Sequence, residues 1–415
     1  MSAMRILLWH GYLLGGTGSN VYTRALARAW SRAGHDVVVV SQEREPELYD
    51  LGSARTVAVE LPGRLLPVFV MDRYAGLEPK FLQDFTDGEK RAYVDANAAA
   101  LRELLPADIV FTNHVLMGAP VGAATGAPFR VKAHGSELEY SMRGRPELEA
   151  WGREALACAD ATFVGSQHIR EVLEDVVGHV DSVFEVPPGV DVDEFAPQER
   201  ASALAALLEE ARRDPPNDGN ERLPDPGNAE RLASFLAGDA PTVVYFGKLI
   251  EQKGVQVLLE AMRDVDARLV VVGFGPYRAT LEATAPERTL FTGPFEHRHL
   301  VHLLPLADVT VVPSIFPEAF GMVAAEAAAA GSPPLVARHS GLAEVAAGLE
   351  TEYPPHLRPL ASFATGDSRE LTAKLNELLA LPAADRDALR QAARRAVVAR
   401  WSWASVAERL LAPVS

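Results

Sequence analysis

Residues 4–41, MRILLWHGYLLGGTGSNVYTRALARAWSRAGHDVVVVS, decide the fold class. The apolar run Met4–His10 predicts a buried first strand, and a glycine-rich turn follows it. A helix is predicted over about Val21–Ala33, with Gly34 at its end, and Asp36–Ser41 predicts a second strand. A strand, a helix and a second strand in this order are typical of a parallel sheet with helices packed on its faces.

The same alternation of short apolar runs and helical patterns continues along the chain. Further strands are predicted at Arg55–Val59, Asp108–Thr112, Phe129–Ala133, Thr162–Gly165 and Ser182–Val186. Together with the first two strands they predict one doubly wound α/β domain over residues 1–190.

A second series of strands follows after a break in this pattern. Its members are predicted at Thr242–Lys248, Ala267–Gly273, Thr289–Thr292, Val309–Pro313 and Pro334–Ala337. They predict a second doubly wound domain over residues 191–397, with no detectable sequence repeat between the two domains.

Two further segments lie outside these strands. Residues 198–239 contain Asp214-Pro-Pro-Asn and Pro224-Asp-Pro-Gly. Such clusters rarely support regular structure, so a mobile surface insertion is predicted there. The last segment, Asp385–Ser415, predicts one or two helices with a break at Trp401-Ser402-Trp403.

The composition of the 415-residue chain excludes several classes of protein. Its 48% hydrophobic and 23% charged residues are those of an ordinary globular protein. A net charge of −16 argues against nucleic acid as the main partner and against tight docking on anionic lipid. The apolar start is too short for a secretory signal and no run is long enough to span a membrane, so a cytoplasmic location is expected. Cys158 is the only cysteine, which excludes an internal disulfide, and it is expected to be buried.

The first candidate site is the turn Gly15-Gly16-Thr17-Gly18-Ser19-Asn20, between the first strand and its helix. Glycines there let backbone N–H groups approach a ligand, and the start of a helix favours an anion. A dinucleotide-binding fingerprint would need a glycine in place of Val21 and an acidic residue in place of Ser41. The turn is therefore either an anion site of another kind or a purely structural turn.

The second candidate site is the loop Gly247-Lys248-Leu-Ile-Glu-Gln-Lys253-Gly254, which follows the first strand of the second series. Two lysines five residues apart at the end of a strand can neutralise a diphosphate, and the glycines keep the backbone out of its way. The alternative is a pair of solvated lysines on a surface loop.

The third candidate site contains Glu318 and Glu326, after the end of another predicted strand. A helix is predicted to begin near Ala319. Eight residues of helix span about 12 Å with an angular offset of about 80°, so the two carboxylates are not expected to form an acid–base pair. They can hold two separate parts of one long ligand, helped by the amides of Ala319, Phe320 and Gly321. The alternative is a capping glutamate and a glutamate on the helix surface.

Two isolated features lie outside these three candidate sites. His134 follows a predicted buried strand at its carboxyl end, where doubly wound sheets bind ligands, although a lone histidine is often structural. Asp191-Val-Asp193 superficially matches a metal site, but no set of further ligands accompanies it. Asp191 is therefore expected to cap a turn, and no metal is expected.

Together these motifs resemble the retaining glycosyltransferases of family 4, which have the GT-B fold. The order of segments matches along nearly the whole chain: the glycine turn, His134-Gly, Pro187-Pro-Gly-Val-Asp191, Gly247-Lys248-Leu, Lys253-Gly and Glu318-x7-Glu326. The last of these is the most specific, and glycogen synthases and sucrose-type transferases share variants of it. The resemblance implies two Rossmann-like domains that face each other across a deep cleft.

The resemblance also implies which residues bind the diphosphate of a nucleotide-sugar donor. Lys248, where the family more often has Arg, and Lys253 would neutralise its charge, with Gly247 beside them. Lysine keeps the charge of arginine but loses its bidentate fork, so the grip there would be looser. From the first domain, Gly16 and Thr17 would line the diphosphate.

For the rest of the donor, the resemblance implies a division of roles between the two glutamates. Glu326 would accept hydrogen bonds from the ribose hydroxyls. Glu318 would contact the transferred sugar, and His134 would contact it beside the reaction centre. The amides near the sugar would be those of Ala319, Phe320 and Gly321. A final helix over about residues 398–415 would pack on the first domain.

The favoured mechanism is displacement on one face of the sugar with retention, because no carboxylate pair is evidently placed as nucleophile and acid. The departing phosphate would take the acceptor's proton, while Lys248, Lys253 and helix amides hold the developing charge. His134, Lys248, Lys253 and Glu318 are the predicted catalytic residues. No cofactor is expected.

The expected partners are a nucleotide-sugar donor and a hydroxyl acceptor, with UDP as the commonest base in the family. Acceptor contacts are predicted in residues 63–87, which contain Phe69, Met71, Tyr74 and Phe81. The acceptor's identity and the oligomeric state stay open. The alternatives are a nucleotide-sugar epimerase or a phosphorylase on the same scaffold, and a non-catalytic nucleotide-sugar-binding module.

Overall fold

The computed structural model describes residues 2–15, 18–69 and 76–413. The chain divides into two compact units, one formed by Met1–Gly189 with Trp403–Ser415 and the other by Val190–Ser402. The polypeptide therefore leaves the first unit at Gly189 and returns to it at Trp403.

The first unit is built on a parallel sheet. Its strands are β1 (Arg5–Trp9), β2 (Asp36–Ser41), β3 (Arg55–Ala58), β4 (Leu65–Val68), β5 (Glu78–Phe81), β6 (Ile109–Asn113), β7 (Phe129–Lys132), β8 (Ala161–Val164) and β9 (Val183–Glu185). Seven of them form one sheet in the order β3-β2-β1-β6-β7-β8-β9, and each was predicted from the sequence. The short parallel pair β4–β5 was not predicted.

Helices connect these strands and cover both faces of the sheet. They are α1 (Gly18–Arg32), α2 (Asp87–Leu104), α3 (Val115–Thr125), the single turn α4 (Gly135–Glu137), α5 (Pro146–Leu156) and α6 (Gln167–Val177). The strand β1 shows why both faces are covered, because alternate side chains point to opposite sides of a strand. Leu7 and Trp9 join one hydrophobic cluster, whereas Ile6 and Leu8 join another.

The second unit repeats this architecture with a smaller sheet. Its strands are β10 (Thr242–Phe246), β11 (Arg268–Val272), β12 (Thr289–Phe291), β13 (Val309–Val312), β14 (Pro334–Ala337) and β15 (Ser362–Phe363). They form a parallel sheet in the order β12-β11-β10-β13-β14-β15. The first five were predicted, and β15, of two residues, was not.

The helices of the second unit begin before its first strand. They are α7 (Arg200–Arg212), α8 (Asn228–Phe235), α9 (Val255–Ala261), α10 (Arg278–Thr284), α11 (His297–Leu303), α12 (Met322–Ala329), α13 (Ser340–Glu350), α14 (Ser368–Leu379) and α15 (Ala383–Arg400). One hydrophobic cluster joins this sheet to its helices.

The prediction of a mobile, irregular insertion over residues 198–239 was wrong for most of that segment. The helices α7 and α8 occupy much of it, and Leu207 and Leu232 are fully buried. The Pro/Asp/Gly clusters lie only in the connection between the two helices. Asp225 fastens that connection through two hydrogen bonds from Arg278, at 2.8 and 2.6 Å. Apolar residues spaced to form a helix therefore outweighed the neighbouring turn residues.

The last helix is α16 (Trp403–Leu411), which belongs to the first unit. The predicted break at Trp401-Ser402-Trp403 is present, but the returning segment starts at Trp403, because residues 398–400 still belong to α15. Trp30 Nε1 donates to the carbonyl of Ala407 at 3.0 Å, and Arg130 Nη1 donates to that of Leu410 at 2.6 Å. The final helix thus closes one face of the first unit.

Cys158 is exposed, which contradicts the expectation that it would be buried. It lies just after the last residue of α5, and its backbone N–H bonds to the carbonyl of Ala155. Position at the solvated end of a helix, rather than residue type, decides its exposure.

Candidate functional site

The order of strands in the second sheet reverses between β10 and β13. Ligands of doubly wound sheets bind at the carboxyl ends of the strands beside such a reversal. The loop after β10 contains Gly247, Lys248 and Lys253, and the loop after β13 contains Glu318. The topology therefore brings the second and third predicted sites together.

Gly254 allows these two loops to meet. Its φ is 67°, and a Cβ atom there would lie 1.9 Å from the carbonyl oxygen of Pro313. Only a residue without a side chain fits this approach. The backbone N–H of Ile315 also donates to the carbonyl of Gln252 at 3.0 Å. The lysine loop is consequently fastened to the end of β13.

Lys253 and Glu318 form an ion pair within this arrangement. Lys253 Nζ lies 2.5 Å from Glu318 Oε1, and Ser314 Oγ donates to the same oxygen at 2.5 Å. Their side chains are 31% and 20% exposed, so both remain reachable for a ligand. Lys248 is exposed, and its carbonyl accepts a hydrogen bond from the Tyr245 hydroxyl at 2.9 Å. Burial and the Glu318 charge raise the pKa of Tyr245 above its ordinary range.

The helix after Glu318 begins later than predicted. The first residue of α12 is Met322, and Gly321 precedes it with a φ of 121°. The eight-residue helical separation between the two glutamates is therefore wrong, because Glu318 lies in the loop. Ala319, Phe320 and Gly321 form the turn that leads into the helix.

Glu318 is also held through its backbone by residues that the sequence did not reveal. Its N–H donates to Ser340 Oγ at 2.8 Å, and its carbonyl accepts from Gly341 N at 3.0 Å. His339 contacts Ser340 Oγ at 2.9 Å through Nδ1 and the Ser314 carbonyl at 2.7 Å through Nε2. No motif marks His339 and Ser340; their contacts with Glu318 arise from folding.

Glu326 lies inside α12 and is 9% exposed. Burial raises the pKa of its carboxyl group to about 8. The nearest recorded basic group is the exposed ring of His297, whose Nε2 lies 3.9 Å from Glu326 Oε1. A buried carboxylate with so distant a partner is costly unless another molecule supplies hydrogen-bond donors.

Two glycines of the neighbouring loop also shape this edge. Gly273 and Gly275 have φ values of 147° and 152°, and a Cβ atom on Gly273 would lie 1.8 Å from the Gly247 carbonyl oxygen. The loop after β11 thus packs directly on the loop that carries Lys248. Sequence reasoning missed these glycines because only the sheet order makes the two loops neighbours.

In the first sheet the strand order reverses between β1 and β6. His10 follows β1, His114 follows β6 and His134 follows the neighbouring strand β7. The ring of His114 lies 4.5 Å from that of His134 and 6.0 Å from that of His10, measured between centroids. His134 was predicted; the other two histidines were missed, because each is a lone residue after a buried run.

All three rings are held in the neutral form. Burial is the largest cause and lowers the pKa of His10 to about 4. Burial also lowers the pKa values of His114 and His134 well below their ordinary value. His134 lowers that of His114 further, Lys132 lowers that of His134, and His10 lowers both. His134 Nε2 lies 3.1 Å from Asn113 Oδ1, which only accepts, so this nitrogen carries the proton and Nδ1 is an acceptor.

His114 has an unusual position. It is 3% exposed, and neither ring nitrogen has a hydrogen-bond partner among the described residues. Its φ of 72° is in the left-handed region, which favours glycine. The ring of Phe69 lies 5.0 Å from it, so one predicted acceptor residue reaches this cluster. Phe81 is half-buried, and Met71 and Tyr74 lie outside the described residues.

Glu137 fixes the chain on either side of these histidines. Its fully buried carboxylate accepts the backbone N–H groups of Val115, Leu116 and Met117, the first turn of α3. Burial raises its pKa to about 8, and the three hydrogen bonds oppose this shift. Since His114 precedes α3 and Glu137 ends α4, this carboxylate ties together the loops after β6 and β7.

The glycine turn lies partly outside the described residues, and Gly16 and Thr17 belong to the part that is not described. On its flanks, Asn20 Nδ2 donates to the Gly15 carbonyl, and Asn20 Oδ1 accepts from His10 Nε2 at 2.8 Å. The turn is therefore linked to the histidine cluster.

The segment Asp191-Val-Asp193 forms a capped turn. Asp191 Oδ1 accepts the backbone N–H groups of Asp193 and Glu194, both at 3.1 Å, so it caps a turn as predicted. Across residues 2–15, 18–69 and 76–413, no group of three or more His, Cys, Asp or Glu side chains is arranged to hold a metal ion. In the same ranges, no helix has the length and apolar character needed to cross a bilayer.

Comparison with known proteins identifies the class. Residues 16–194 match the family described as Glycosyltransferase Family 4, and residues 228–396 match Glycosyl transferases group 1. A solved structure from Anabaena, HepE in complex with UDP and glucose, superposes with a TM-score of 0.65 at 16% identity and covers 98% of each chain. The protein is therefore a glycosyltransferase with the GT-B fold.

Similar sequences specify the family. A D-inositol 3-phosphate glycosyltransferase from Xylanimonas cellulosilytica is 30% identical over 359 residues, 79% of this chain and 77% of the relative. A GDP-mannose-dependent monoacylated alpha-(1-6)-phosphatidylinositol monomannoside mannosyltransferase from Corynebacterium glutamicum is 27% identical, over 71% of this chain and 72% of that protein. The chain belongs to the group 1 glycosyl transferases of family 4.

Proposed function

We propose that this enzyme transfers a hexosyl group from a nucleotide diphosphate sugar to a hydroxyl acceptor, with retention of configuration and without a metal. The observation that carries the proposal is the edge of the second sheet. There, a partly exposed Lys253–Glu318 pair lies at the reversal of strand order, in the same unit as the buried, poorly partnered Glu326. An ionic ligand with hydroxyl groups would satisfy all three side chains.

The donor's parts are assigned to these residues by their chemistry. Lys253 and the exposed Lys248 neutralise the diphosphate, with Gly247 leaving room beside it. Glu326 accepts hydrogen bonds from the ribose hydroxyls, which supply the donors that its burial demands. Glu318 accepts from the transferred sugar, near the amides of Ala319, Phe320 and Gly321. From the first unit, Gly16 and Thr17 are proposed to contact the diphosphate.

His134 is proposed to contact the transferred sugar. Since its Nε2 proton is directed to Asn113 Oδ1, the neutral ring offers Nδ1 as an acceptor for a sugar hydroxyl. Burial keeps its pKa well below the ordinary value, so the ring stays neutral at physiological pH and adds no charge beside a forming cation.

Retention by displacement on one face is supported by the state of Glu137, the carboxylate beside the histidines, whose oxygens already accept hydrogen bonds. Glu137 accepts three backbone N–H groups and is fully buried, so it cannot attack a sugar carbon. In the proposed step, the bond from the anomeric carbon to the phosphate oxygen breaks. The acceptor oxygen bonds to the same face, and its proton passes to the departing phosphate.

UDP-sugars are the first donors to test, and GDP-mannose is the second. The family's commonest base favours UDP, whereas the Corynebacterium relative carries GDP-mannose in its name. For the acceptor, a phosphorylated cyclitol is the first compound to test, because the Xylanimonas relative acts by name on D-inositol 3-phosphate.

Thermal stabilisation by UDP, GDP, ADP and their sugars will identify the donor, since a ligand at about 100 times its Kd adds about 2.7 kcal/mol. Transfer to acceptors is then followed by mass spectrometry, and NMR of the product reports the anomeric configuration. An inverted product would refute the displacement on one face. Conversion of the donor without acceptor would indicate an epimerase, and binding without transfer to any acceptor would indicate a binding module.

A further inference from the structure

We propose that His339 and Ser340 are positioning residues for Glu318, and that Glu318 Oε2, which Ser314 and Lys253 leave available, accepts a hydroxyl of the donor sugar. This inference rests on the proposed function, in which Glu318 contacts the transferred sugar. It adds two residues that neither touch the donor nor belong to any motif in the sequence.

The direction of each hydrogen bond around Glu318 follows from the chemistry of its partners. The Ser314 carbonyl only accepts, so His339 carries its proton on Nε2, 2.7 Å away. His339 Nδ1 is then an acceptor and receives the Ser340 hydroxyl proton at 2.9 Å. Ser340 Oγ in turn accepts the backbone N–H of Glu318 at 2.8 Å.

Ser314 closes this chain of contacts into a ring. Its hydroxyl donates to Glu318 Oε1 at 2.5 Å, while its own carbonyl accepts from His339. Within this ring, Ser340 holds the backbone N–H of Glu318 and Ser314 holds its carboxylate. Such a ring constrains a side chain more than isolated bonds do, because each bond polarises the next.

The ring also determines which carboxylate oxygen is available. Among the described residues, Ser314 and Lys253 donate hydrogen bonds to the Glu318 carboxylate, and Oε1 accepts both. Oε2 is therefore the oxygen left to accept from a sugar hydroxyl. A carboxylate held in this way pays less entropy when the sugar binds.

The backbone at Ser340 gives independent support. Its φ is 43°, a left-handed conformation that glycine adopts without strain. The next residue, Gly341, packs so closely that a Cβ atom there would lie 2.5 Å from Phe320 Cα. A serine in this strained position is explained by its hydroxyl, which glycine would lack.

The test compares Ser340→Ala and Ser340→Gly with the wild-type protein and with Glu318→Gln, all as full chains. Calorimetry gives the affinities for UDP and UDP-glucose, with GDP and GDP-mannose as a second pair, and initial rates give kcat and KM. Ser332→Ala is the matched control. Ser332 is fully buried and bonds to Thr310 Oγ1 at 2.7 Å, but it lies before β14, at the amino end of that strand.

Both Ser340 variants are expected to lose about tenfold in kcat, because they release a hydrogen bond that orients a charged group. Their affinity for the free nucleotide should stay within about twofold, since Glu326 and the lysines are unchanged. Ser332→Ala should change neither quantity. Wild-type transfer rates in both Ser340 variants, with Glu318→Gln impaired, would overturn the positioning role.

A second measurement separates this inference from the proposed function. Long-range ¹H–¹⁵N spectra should show His339 as the Nε2–H tautomer, and Ser340→Ala should shift its Nδ1 resonance. If the wild type shows this signature yet transfers no sugar, the ring stands and the proposed function fails. If His339 is instead protonated on Nδ1, the ring is wrong whatever the activity.

Discussion

The first sheet ends in three neighbouring histidine rings, His10 and His114 buried and His134 half-buried, whereas the second ends in lysines and glutamates. Burial keeps the histidines uncharged, and two of them bond to amide side chains, His10 to Asn20 and His134 to Asn113. In the second unit, Lys253 and Glu318 are partly exposed and charged. The same topological position is therefore lined by neutral rings in the first unit and by charged side chains in the second.

Together with the proposed function, this difference predicts a division of roles between the two edges. A charged, accessible edge suits the diphosphate, whose charge grows when the bond to the sugar breaks. An edge of neutral imidazole rings suits hydroxyl groups beside a carbon that becomes positive, because those rings add no positive charge of their own. Substitutions at each edge should therefore alter different steps of the reaction.

The largest effect is expected from Lys253→Ala. Loss of this ammonium group removes both a diphosphate contact and the partner of Glu318, so kcat/KM should fall about 100- to 1,000-fold in steady-state assays. Lys248→Ala, at an exposed lysine of the same loop, should cost no more than about tenfold. Full transfer at saturating and subsaturating donor in Lys253→Ala would refute the diphosphate role and remove the contrast between the edges.

At the neutral edge, His134→Ala is expected to lower kcat about 100-fold, because the sugar loses an oriented acceptor. Affinity for the free nucleotide should be unchanged, since the contacts of the second unit remain. Single-turnover rates and calorimetry measure the two quantities. His35→Ala serves as the control, because it also removes an imidazole ring of the first unit. His35 Nδ1 accepts the backbone N–H of Met4 at 3.1 Å, and the residue lies just before β2, away from the carboxyl ends of the strands. A loss of nucleotide binding in His134→Ala alone would contradict the division of roles.

The neutral edge should also depend on Glu137 for its stability. Glu137→Gln places an amide against three N–H donors, so the free energy of unfolding should fall by about 2–3 kcal/mol. Urea denaturation measures this loss, and hydrogen exchange should locate it at Val115–Met117. Glu89→Gln, in the exposed capping box of α2, should cost much less stability than Glu137→Gln. Equal losses in the two variants would mean that Glu137 is only another helix cap.

The smallest effect is expected from Glu326→Gln, which should weaken nucleotide affinity about tenfold through a poorer contact with the ribose. The same substitution should also change how the free energy of unfolding depends on pH. The folded-state pKa of Glu326 is raised from 4.5 to about 8, so the native protein retains a proton that the unfolded chain has lost. The free energy of unfolding of the wild type therefore falls as pH rises from 4.5 to about 8.

Glu326→Gln removes this part of the pH dependence, and its melting temperature should fall less than that of the wild type between pH 5 and 8. Glu137, whose pKa is also raised to about 8, contributes equally to both proteins. Identical pH profiles in the two proteins would show that burial does not raise the pKa of Glu326 in the folded protein.

Strands and their order along the chain were readily predicted because buried parallel strands form short apolar runs. The misses have physical causes. The strands β4 and β5 contain prolines and polar residues, and β15 has only two residues. In residues 198–239, the proline clusters predicted irregular structure, but they lie only between two helices whose leucines are buried.

The candidate site was predictable where chemistry is concentrated in a motif. Lys253, Glu318 and Glu326 lie in such motifs, and their roles stay predictions. His10, His114, His339 and Ser340 were missed because their significance depends on which strands become neighbours. Glu137 lies three residues after His134, yet nothing in that spacing indicates that it caps α3. The start of α12 was misplaced because Gly321, at a φ of 121°, interrupts the helix.

The return of the chain at α16 has a consequence for biosynthesis. Trp30 Nε1 donates to the carbonyl of Ala407, 377 residues later in the chain. The first unit therefore cannot be completed until the second has been synthesised. A ribosome adding about 5–20 residues per second leaves the first unit without this helix for many seconds. During that interval the apolar residues of the first unit that pack against α16, Trp30 among them, lack this cover.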